Sequence, residues 1–164
     1  MKLCFEGVGN LLLSEEGGRL TGLSFLKGRP APEDLNFRET QTLLEAKRQL
    51  EEYFDGSRRG FDIPLAPMGT PFQLRCWDAL LKIPYGRTAT YADIARAVGS
   101  PKAFRAVGLA NNRNPIAIII PCHRVIGSNG RLVGFGGGLD VKAFLLRFEA
   151  AMTVEEQPGA QEEG

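Results

Sequence analysis

The residues best suited to chemistry stand together at Pro121-Cys122-His123-Arg124-Val125, directly after the apolar run Ile116–Ile120. A short continuous apolar run reads as a buried strand, so the pattern predicts a strand that delivers Cys122 at its end. A thiol is a weak nucleophile at its free pKa of ~8.5, and neighbouring positive charge lowers that value. His123, the only histidine in the chain, and Arg124 bring a proton acceptor and positive charge close to the sulfur. Adjacent strand residues point to opposite faces, so contact between Cys122 and His123 needs a bend or an intervening water. The competing reading is a third buried cysteine beside a core histidine. Cys76 stands four residues from both Phe72 and Leu80 on a helical stripe, and Cys4 lies in a first strand. Both read as small buried hydrophobes. Three cysteines at wide spacing give no disulfide framework, and no Cys/His pair has ligand spacing, so neither a metal nor a cofactor is expected.

The elements that must position these residues are readable from periodicity and punctuation. Short apolar stretches separated by glycines over the first ~30 residues predict a small antiparallel sheet with tight turns. Leu43, Leu44, Leu50, Tyr53 and Phe54 predict an amphipathic helix ending near Asp55-Gly56. Phe61–Leu65, with Pro64 inside it, predicts an edge strand, because proline breaks an interior ladder. Thr70-Pro71 supplies an N-cap and a first-turn proline for a helix through about Lys82, with Trp77 and Leu81 flanking its stripe. Thr90–Val98 and Pro101–Asn112 predict two short helices around Gly99-Ser100, a helix-turn-helix whose second member normally meets DNA. Such pairs also pack in proteins that never touch nucleic acid. The small residues Ala103, Ala106, Gly108 and Ala110 permit either a close groove approach or tight helix packing. Six glycines between Gly127 and Gly138 surround Phe135, a last helix is expected near Val141–Glu149, and the acidic stretch from Ala151 reads as a disordered tail.

Composition bounds the possible classes. With 164 residues, 43% hydrophobic and 24% charged, the chain is an ordinary globular protein of one generous domain or two small ones. No apolar run approaches the ~20 residues of a membrane span, and Met1–Glu6 lacks the apolar core of a secretion signal. A cytoplasmic protein without membrane association is therefore expected. The net charge of +1 conceals an asymmetry: residues 70–148 hold 11 Lys/Arg against 3 Asp/Glu, and the rest hold 9 against 16. A basic segment of that size suits a phosphate backbone, or is simply an uneven surface.

The stretch Asn114-Pro115-Ile116-Ala117-Ile118-Ile119-Ile120-Pro121-Cys122-His123-Arg124-Val125 resembles the active-site signature of the O6-alkylguanine-DNA alkyltransferases, the methylated-DNA–protein-cysteine methyltransferases. Ile83-Pro84-Tyr85-Gly86, Thr90-Tyr91, Arg105-Ala106-Val107-Gly108, Gly136-Gly137-Gly138 and Leu145-Leu146-Arg147-Phe148-Glu149 agree in order and spacing, so the likeness covers Thr70–Glu149. The resemblance implies direct reversal of damage: Cys122 takes the alkyl group from O6-alkylguanine, and from O4-alkylthymine, in an in-line displacement, once per molecule. His123 would remove the thiol proton through a water, held by Glu149. Tyr91 would donate to the guanine ring, and Asn114 would brace the turn between helix and active-site segment. Arg105 would fill the stack left by the extruded nucleotide, since a paired base cannot reach a buried thiol. Lys102, Ala103, Arg113 and Arg124 would join Tyr91 and Arg105 on double-stranded DNA, approached through the minor groove by a monomer. Phe135, Gly136, Gly137, Val125 and Trp77 would line the substrate pocket. Phe135 stands where many members have tyrosine and Gly136 where some have serine, so any hydrogen bond from position 136 to the guanine oxygen comes from backbone N–H. Phe104 is bulkier than the alanine often found there.

The implied fold is α/β: a ribonuclease H-like N-terminal scaffold of sheet and helix, and a mainly helical, winged helix-turn-helix-like C-terminal domain. The expected division is residues 1–69, 70–150 and a tail 151–164. Three other readings compete: a non-catalytic lesion sensor, a transcriptional regulator, and a cysteine hydrolase using Cys122, His123 and Glu149. The intact Pro-Cys-His-Arg context opposes the first. The second lacks any dimer symmetry or effector domain. The third leaves the helix-turn-helix and basic segment without a purpose.

Overall fold

The protein is described from a computed structural model covering residues 1–34 and 37–155. Three antiparallel strands, β1 (Lys2–Phe5), β2 (Gly9–Glu16) and β3 (Arg19–Phe25), form a meander in the order β1-β2-β3. Alternation along β2 and β3 sends Leu11, Leu13, Leu20, Leu23 and Phe25 into the core, as a sheet with one solvated face requires. In β1 the same alternation turns Leu3 and Phe5 inward and Lys2 and Cys4 outward. Cys4 is thus exposed, not a buried hydrophobe as its apolar neighbours suggest.

Helix α1 (Gln41–Asp55) lays Leu43, Ala46, Leu50 and Tyr53 against the sheet. Thr40 caps its start by accepting from Leu43 N, and Gly56 ends it at φ +87°, a left-handed conformation that glycine adopts without steric cost. The expected strand at Phe61–Leu65 reduces to a single parallel bridge between Leu65 and Leu20. Pro64 donates nothing but its carbonyl accepts from Leu20 N at 2.8 Å, and Ala66 N returns the bond to Leu20 O.

Helix α2 (Pro71–Leu80) opens with a complete capping box between Thr70 and Gln73 and buries Cys76, Trp77 and Leu80. The two-residue strand β4 (Ala89–Thr90) leads into α3 (Tyr91–Ala97), capped by Thr90 and Asp93. Helix α4 is Phe104–Asn112, later than the expected start at Pro101. Pro101 and Lys102 instead form a turn that Ala103 N closes onto Ser100 O at 2.9 Å. α4 buries Val107, Ala110 and Asn111 and leaves Phe104, Arg105 and Leu109 exposed.

The expected active-site strand at Ile116–Ile120 is not a strand. Only Ile116 bridges to Leu23; the chain then turns, with Ile118 at φ +69°. A β-branched residue is strained in that region, and the reason for the turn is local. Asn114 Oδ1 accepts from Ile116 N at 3.0 Å while its Nδ2 donates to Ile120 O at 2.8 Å, pinching the five residues together. Burial of all five side chains supplies the compensation. A 3₁₀ turn, Cys122–Arg124, and strand β5 (Val125–Ile126), parallel to β4, follow.

Helix α5 spans Leu139–Glu155. It continues well past the expected end at Glu149, so Ala151–Glu155 is helical and the remainder of the expected tail lies outside the described residues. Arg59 Nη2 donates to Met152 O, which holds this extension against the segment after α1. No helix is long and apolar enough to cross a membrane among the described residues.

The outer edge of β3 therefore serves two distant segments, residues 64–66 and 115–117, the second through Leu23 N to Pro115 O (2.9 Å) and Ala117 N to Leu23 O (3.0 Å). Leu20 and Leu23 anchor both attachments and are buried almost completely. Replacing Leu20 by alanine should cost about 2–5 kcal/mol of stability in urea unfolding; a loss below about 1 kcal/mol would show that the edge is not pinned by this side chain.

Candidate active site

Cys122 opens the 3₁₀ turn and is among the residues lining a cavity of about 190 Å³. Its backbone is fixed on both sides: Cys122 N donates to Ile120 O at 2.8 Å, and Cys122 O accepts from Asn111 Nδ2 at 3.3 Å. Burial pushes the thiol up to about 11, against the opposing influences of Asn114 and of the Lys142 ammonium. The resting sulfur is a protonated thiol and needs a base.

His123 follows in the same turn. In a strand it would face directly away from Cys122, whereas a 3₁₀ turn sets consecutive side chains roughly 120° apart. His123 is wholly buried and its Nε2 lies 2.8 Å from Glu149 Oε2. Because Glu149 is an acceptor, Nε2 carries the proton and Nδ1 holds the lone pair. Nδ1 has no protein partner. Burial lowers the imidazole pKa and outweighs the carboxylate beside it, so the ring is neutral.

Glu149 is almost fully buried and gathers donors from several segments. Its Oε2 receives Tyr53 OH at 2.7 Å from α1 and Arg124 Nη2 at 3.0 Å, besides His123. Its Oε1 receives Arg124 Nε at 2.8 Å and Gly86 N at 3.3 Å. Gly86 sits at φ +73°, where a Cβ would meet Thr153 Oγ1 at 2.3 Å, so only glycine brings this N–H so close. Burial alone would raise the carboxyl, but the hydrogen bonds from His123 and Arg124 and the Arg124 charge win and hold it far below its ordinary value. Glu149 is ionised and His123 neutral.

The structure separates the other expected site residues. Phe135, Gly136 and Gly137 line the Cys122 cavity, joined by Asn111, Asn112 and Asn114, by Leu23, Ser24 and Phe25 of β3, and by Arg29 just beyond it. Gly137 is required there, since a Cβ would stand 2.7 Å from Phe135 and 2.8 Å from Phe25. Tyr91 and Arg105 line a neighbouring hollow with Phe104, Gly108, Val133 and Gly134, and Asn112 borders both. Tyr91 OH donates to Val133 O at 2.8 Å. The same carbonyl receives Lys142 Nζ at 3.1 Å, and the ammonium also bonds Val125 O. Lys102 and Arg113 are exposed at either end of α4, and Ala103 is half-buried at its cap.

Three assignments are corrected. Arg124 is not a DNA contact: it is buried, pairs with Glu149 through two nitrogens and donates Nη1 to Ile83 O at 2.8 Å. Trp77 is not in the pocket: its indole N–H needs a buried acceptor and finds Ala110 O at 2.9 Å, clamping α2 to α4. Val125 is fully buried beneath the site and acts through its carbonyl, not its side chain. Tyr53, Asn111 and Lys142 escape sequence reasoning. Tyr53 and Lys142 read as ordinary residues of amphipathic helices, and only the adjacent Asn111-Asn112 pair, poor helix formers at a helix end, offers a signal.

The comparisons with known proteins agree over most of the chain. Residues 71–151 match the family model for the DNA-binding domain of 6-O-methylguanine DNA methyltransferase, and residues 7–67 match that for its ribonuclease-like domain. The chain belongs to this family. As a member of the 6-O-methylguanine DNA methyltransferase family it is a DNA-binding repair methyltransferase with the two-part fold expected. A methylated-DNA–protein-cysteine methyltransferase of Methanosarcina acetivorans is 53% identical over 146 residues, covering 88% of this chain and 94% of its own. The constitutive Bacillus subtilis methyltransferase is 49% identical over 148 residues, covering 87% and 90%. The crystal structure of Mycobacterium tuberculosis O6-methylguanine methyltransferase superposes with a TM-score of 0.83 at 45% identity over 92% of each chain. A crystal structure of the M. tuberculosis protein in complex with DNA gives the same TM-score at 44% identity.

The charge states carry a pH consequence. A neutral buried His123 and an ionised Glu149 both take up fewer protons in the folded chain than in the unfolded one, where they titrate near ~6.5 and ~4.3. Stability should be fully present above about pH 7 and decline as pH falls through those two values. Since no other histidine exists, the first part of the decline, between about pH 7 and 5, belongs to His123. Urea unfolding at a series of pH values measures this; a flat profile from pH 8 to 5 would contradict the neutral imidazole.

Proposed function

We propose that the protein repairs O6-alkylguanine in double-stranded DNA by moving the alkyl group irreversibly onto Cys122, one group per molecule. The observation that carries this reading is the buried His123, its Nε2 held by Glu149 and its Nδ1 without a protein partner, next in the chain to the buried Cys122. A thiol held near 11 cannot attack until it is deprotonated. His123 Nδ1 takes the proton through a water, and the sulfur then displaces guanine from the alkyl carbon: the S–C bond forms as the C–O bond breaks. The electron pair of the broken bond passes to the purine, and a proton from the Tyr91 hydroxyl makes the departing base neutral. Burial raises the Tyr91 pKa and a Cys122 thiolate raises it further, so the phenol keeps its proton until the base arrives.

The product is a thioether. It has no leaving group that water can displace under mild conditions, and the site contains nothing to activate one, so the protein acts once. O4-alkylthymine presents the same alkyl–oxygen bond and is included as a substrate.

DNA recognition rests on α4. Its solvent face carries Arg105, flanked by exposed Phe104 and Leu109, with Lys102 and Arg113 at the two ends. An apolar face with small residues suits a minor groove opened by an inserted side chain, with phosphates met at the helix ends. Arg105, bordering the Tyr91 hollow, occupies the stack vacated by the extruded base. One monomer suffices, because acceptor, base and groove-facing helix all belong to one chain.

Mixing the protein with an equimolar duplex holding one O6-methylguanine should add the mass of one CH₂ to the Cys122 peptide and to no other, with no second turnover. The Cys122→Ser protein should gain nothing while binding the duplex as tightly; an unchanged mass in the wild type, with lesion-selective binding, would make it a sensor. Arg105→Ala should slow repair of duplex far more than repair of the same lesion in a short single strand. Equal losses on both substrates would remove Arg105 from the stack-filling role.

A further inference from the structure

The N-terminal half reads in the sequence as a scaffold, yet it places one polar group against Glu149. Tyr53 lies on α1, 96 residues from Glu149 in sequence, and its hydroxyl donates to Glu149 Oε2 at 2.7 Å. That is the same oxygen that His123 Nε2 meets at 2.8 Å. The ring is fully buried and wedged among Phe54, Phe61, Tyr85 and Phe148, with centroids 5.0–6.1 Å away, so the hydroxyl has no freedom to turn elsewhere. We propose that Tyr53 is a positioning residue for the transfer reaction, its hydroxyl setting the direction and strength with which Glu149 holds His123. The proposal rests on the reading that His123 deprotonates Cys122.

The argument is one of shared charge. A carboxylate oxygen that accepts several hydrogen bonds, here from Tyr53, His123 and Arg124, offers less negative charge to each. Tyr53 remains a donor, because burial and the neighbouring Glu149 charge raise its own pKa well above the ordinary phenol value. Glu149 on α5 and Arg124 on the 3₁₀ turn are the charged groups that face Tyr53, and Tyr85 stands across its ring. Glu149 and Lys142 on α5 and Arg124 on its own turn are those that face His123. Without the Tyr53 hydroxyl the whole of Oε2 falls to His123 and Arg124, the imidazolium is favoured, and the base is protonated at higher pH.

Tyr53→Phe keeps the ring and removes only the donor. The single histidine allows its ring C–H resonance to be followed through a pH titration without ambiguity. We expect its midpoint to rise by about half a pH unit or more in Tyr53→Phe, and the acid limb of the transfer-rate profile on an O6-methylguanine duplex to rise with it, with DNA affinity unchanged. Phe61→Leu, which loosens the packing on the Tyr53 ring and leaves its hydroxyl in place, should move neither. Coincident titrations and rate profiles for wild type and Tyr53→Phe would overturn the proposal, including the case in which both rings stay neutral down to acid unfolding. An equal shift from Phe61→Leu would overturn it too, by reducing Tyr53 to packing. If the wild type transfers no methyl group at all, the proposed function fails, while the histidine titration still decides whether Tyr53 controls His123.

Discussion

A single buried carboxylate organises the catalytic half of this protein. Taking a charge out of water is costly, and the interior returns that cost only when the charge is paired and its lone pairs are filled. Glu149 meets the condition with donors from α1, from the turn after α2, and from two residues of the 3₁₀ turn. Each donor belongs to an element that must therefore stop where the carboxylate is. The turn carrying Cys122 is consequently located from behind, by His123 and Arg124, as well as from in front, by Asn111 and Asn114. Arg124 illustrates the dependence: its guanidinium pairs with Glu149, reaches Ile83 O, and lies over the Tyr85 ring at 5.6 Å. Removing Glu149 would strand a buried cation as well as release the imidazole.

The second constraint is the edge of β3. An unpaired edge is a row of hydrogen-bonding groups seeking partners, and here it takes two short segments in succession, one leaving α1 and one approaching the active site. The N-terminal sheet thereby fixes the start of the strained turn at Ile118, and Phe25, at the end of the same strand, forms a wall of the cavity. Sheet and site are built by shared hydrogen bonds, so the sheet does more than cover the catalytic helices.

Local signals in the sequence placed most of the helices and their ends. The caps at Thr70 and Thr90, the glycine stop after α1 and the two short helices around Gly99 follow from residue types a few positions apart. The Pro-Cys-His-Arg motif and its flanks led to Cys122, His123, Glu149 and Asn114, which the structure brings together. What failed was decided either by a polar side chain acting on an apolar run or by distant partners. Five consecutive apolar residues look the same whether they form a strand or a buried turn, and the side chain that settles the matter is the polar Asn114 ahead of them. Arg124 points inward because its anion is 25 residues away, and Tyr53 joins the site across 96. Trp77 looked like a pocket wall because nothing near it in sequence names Ala110 O as its acceptor.

The bond from Tyr91 OH to Val133 O bears on discrimination between damaged and intact DNA. A phenol has one proton, so it cannot serve the loop carbonyl and a purine nitrogen together. On the proposed reading, a base that accepts from Tyr91 would first have to take this hydrogen bond from Val133 O, leaving Lys142 Nζ on the carbonyl. The toll is identical for all entrants, whereas an alkylated guanine, already poorly paired, surrenders less on leaving the helix. On that reading the entry cost cancels between lesions and normal bases, and the unequal cost of leaving the helix is what would separate them.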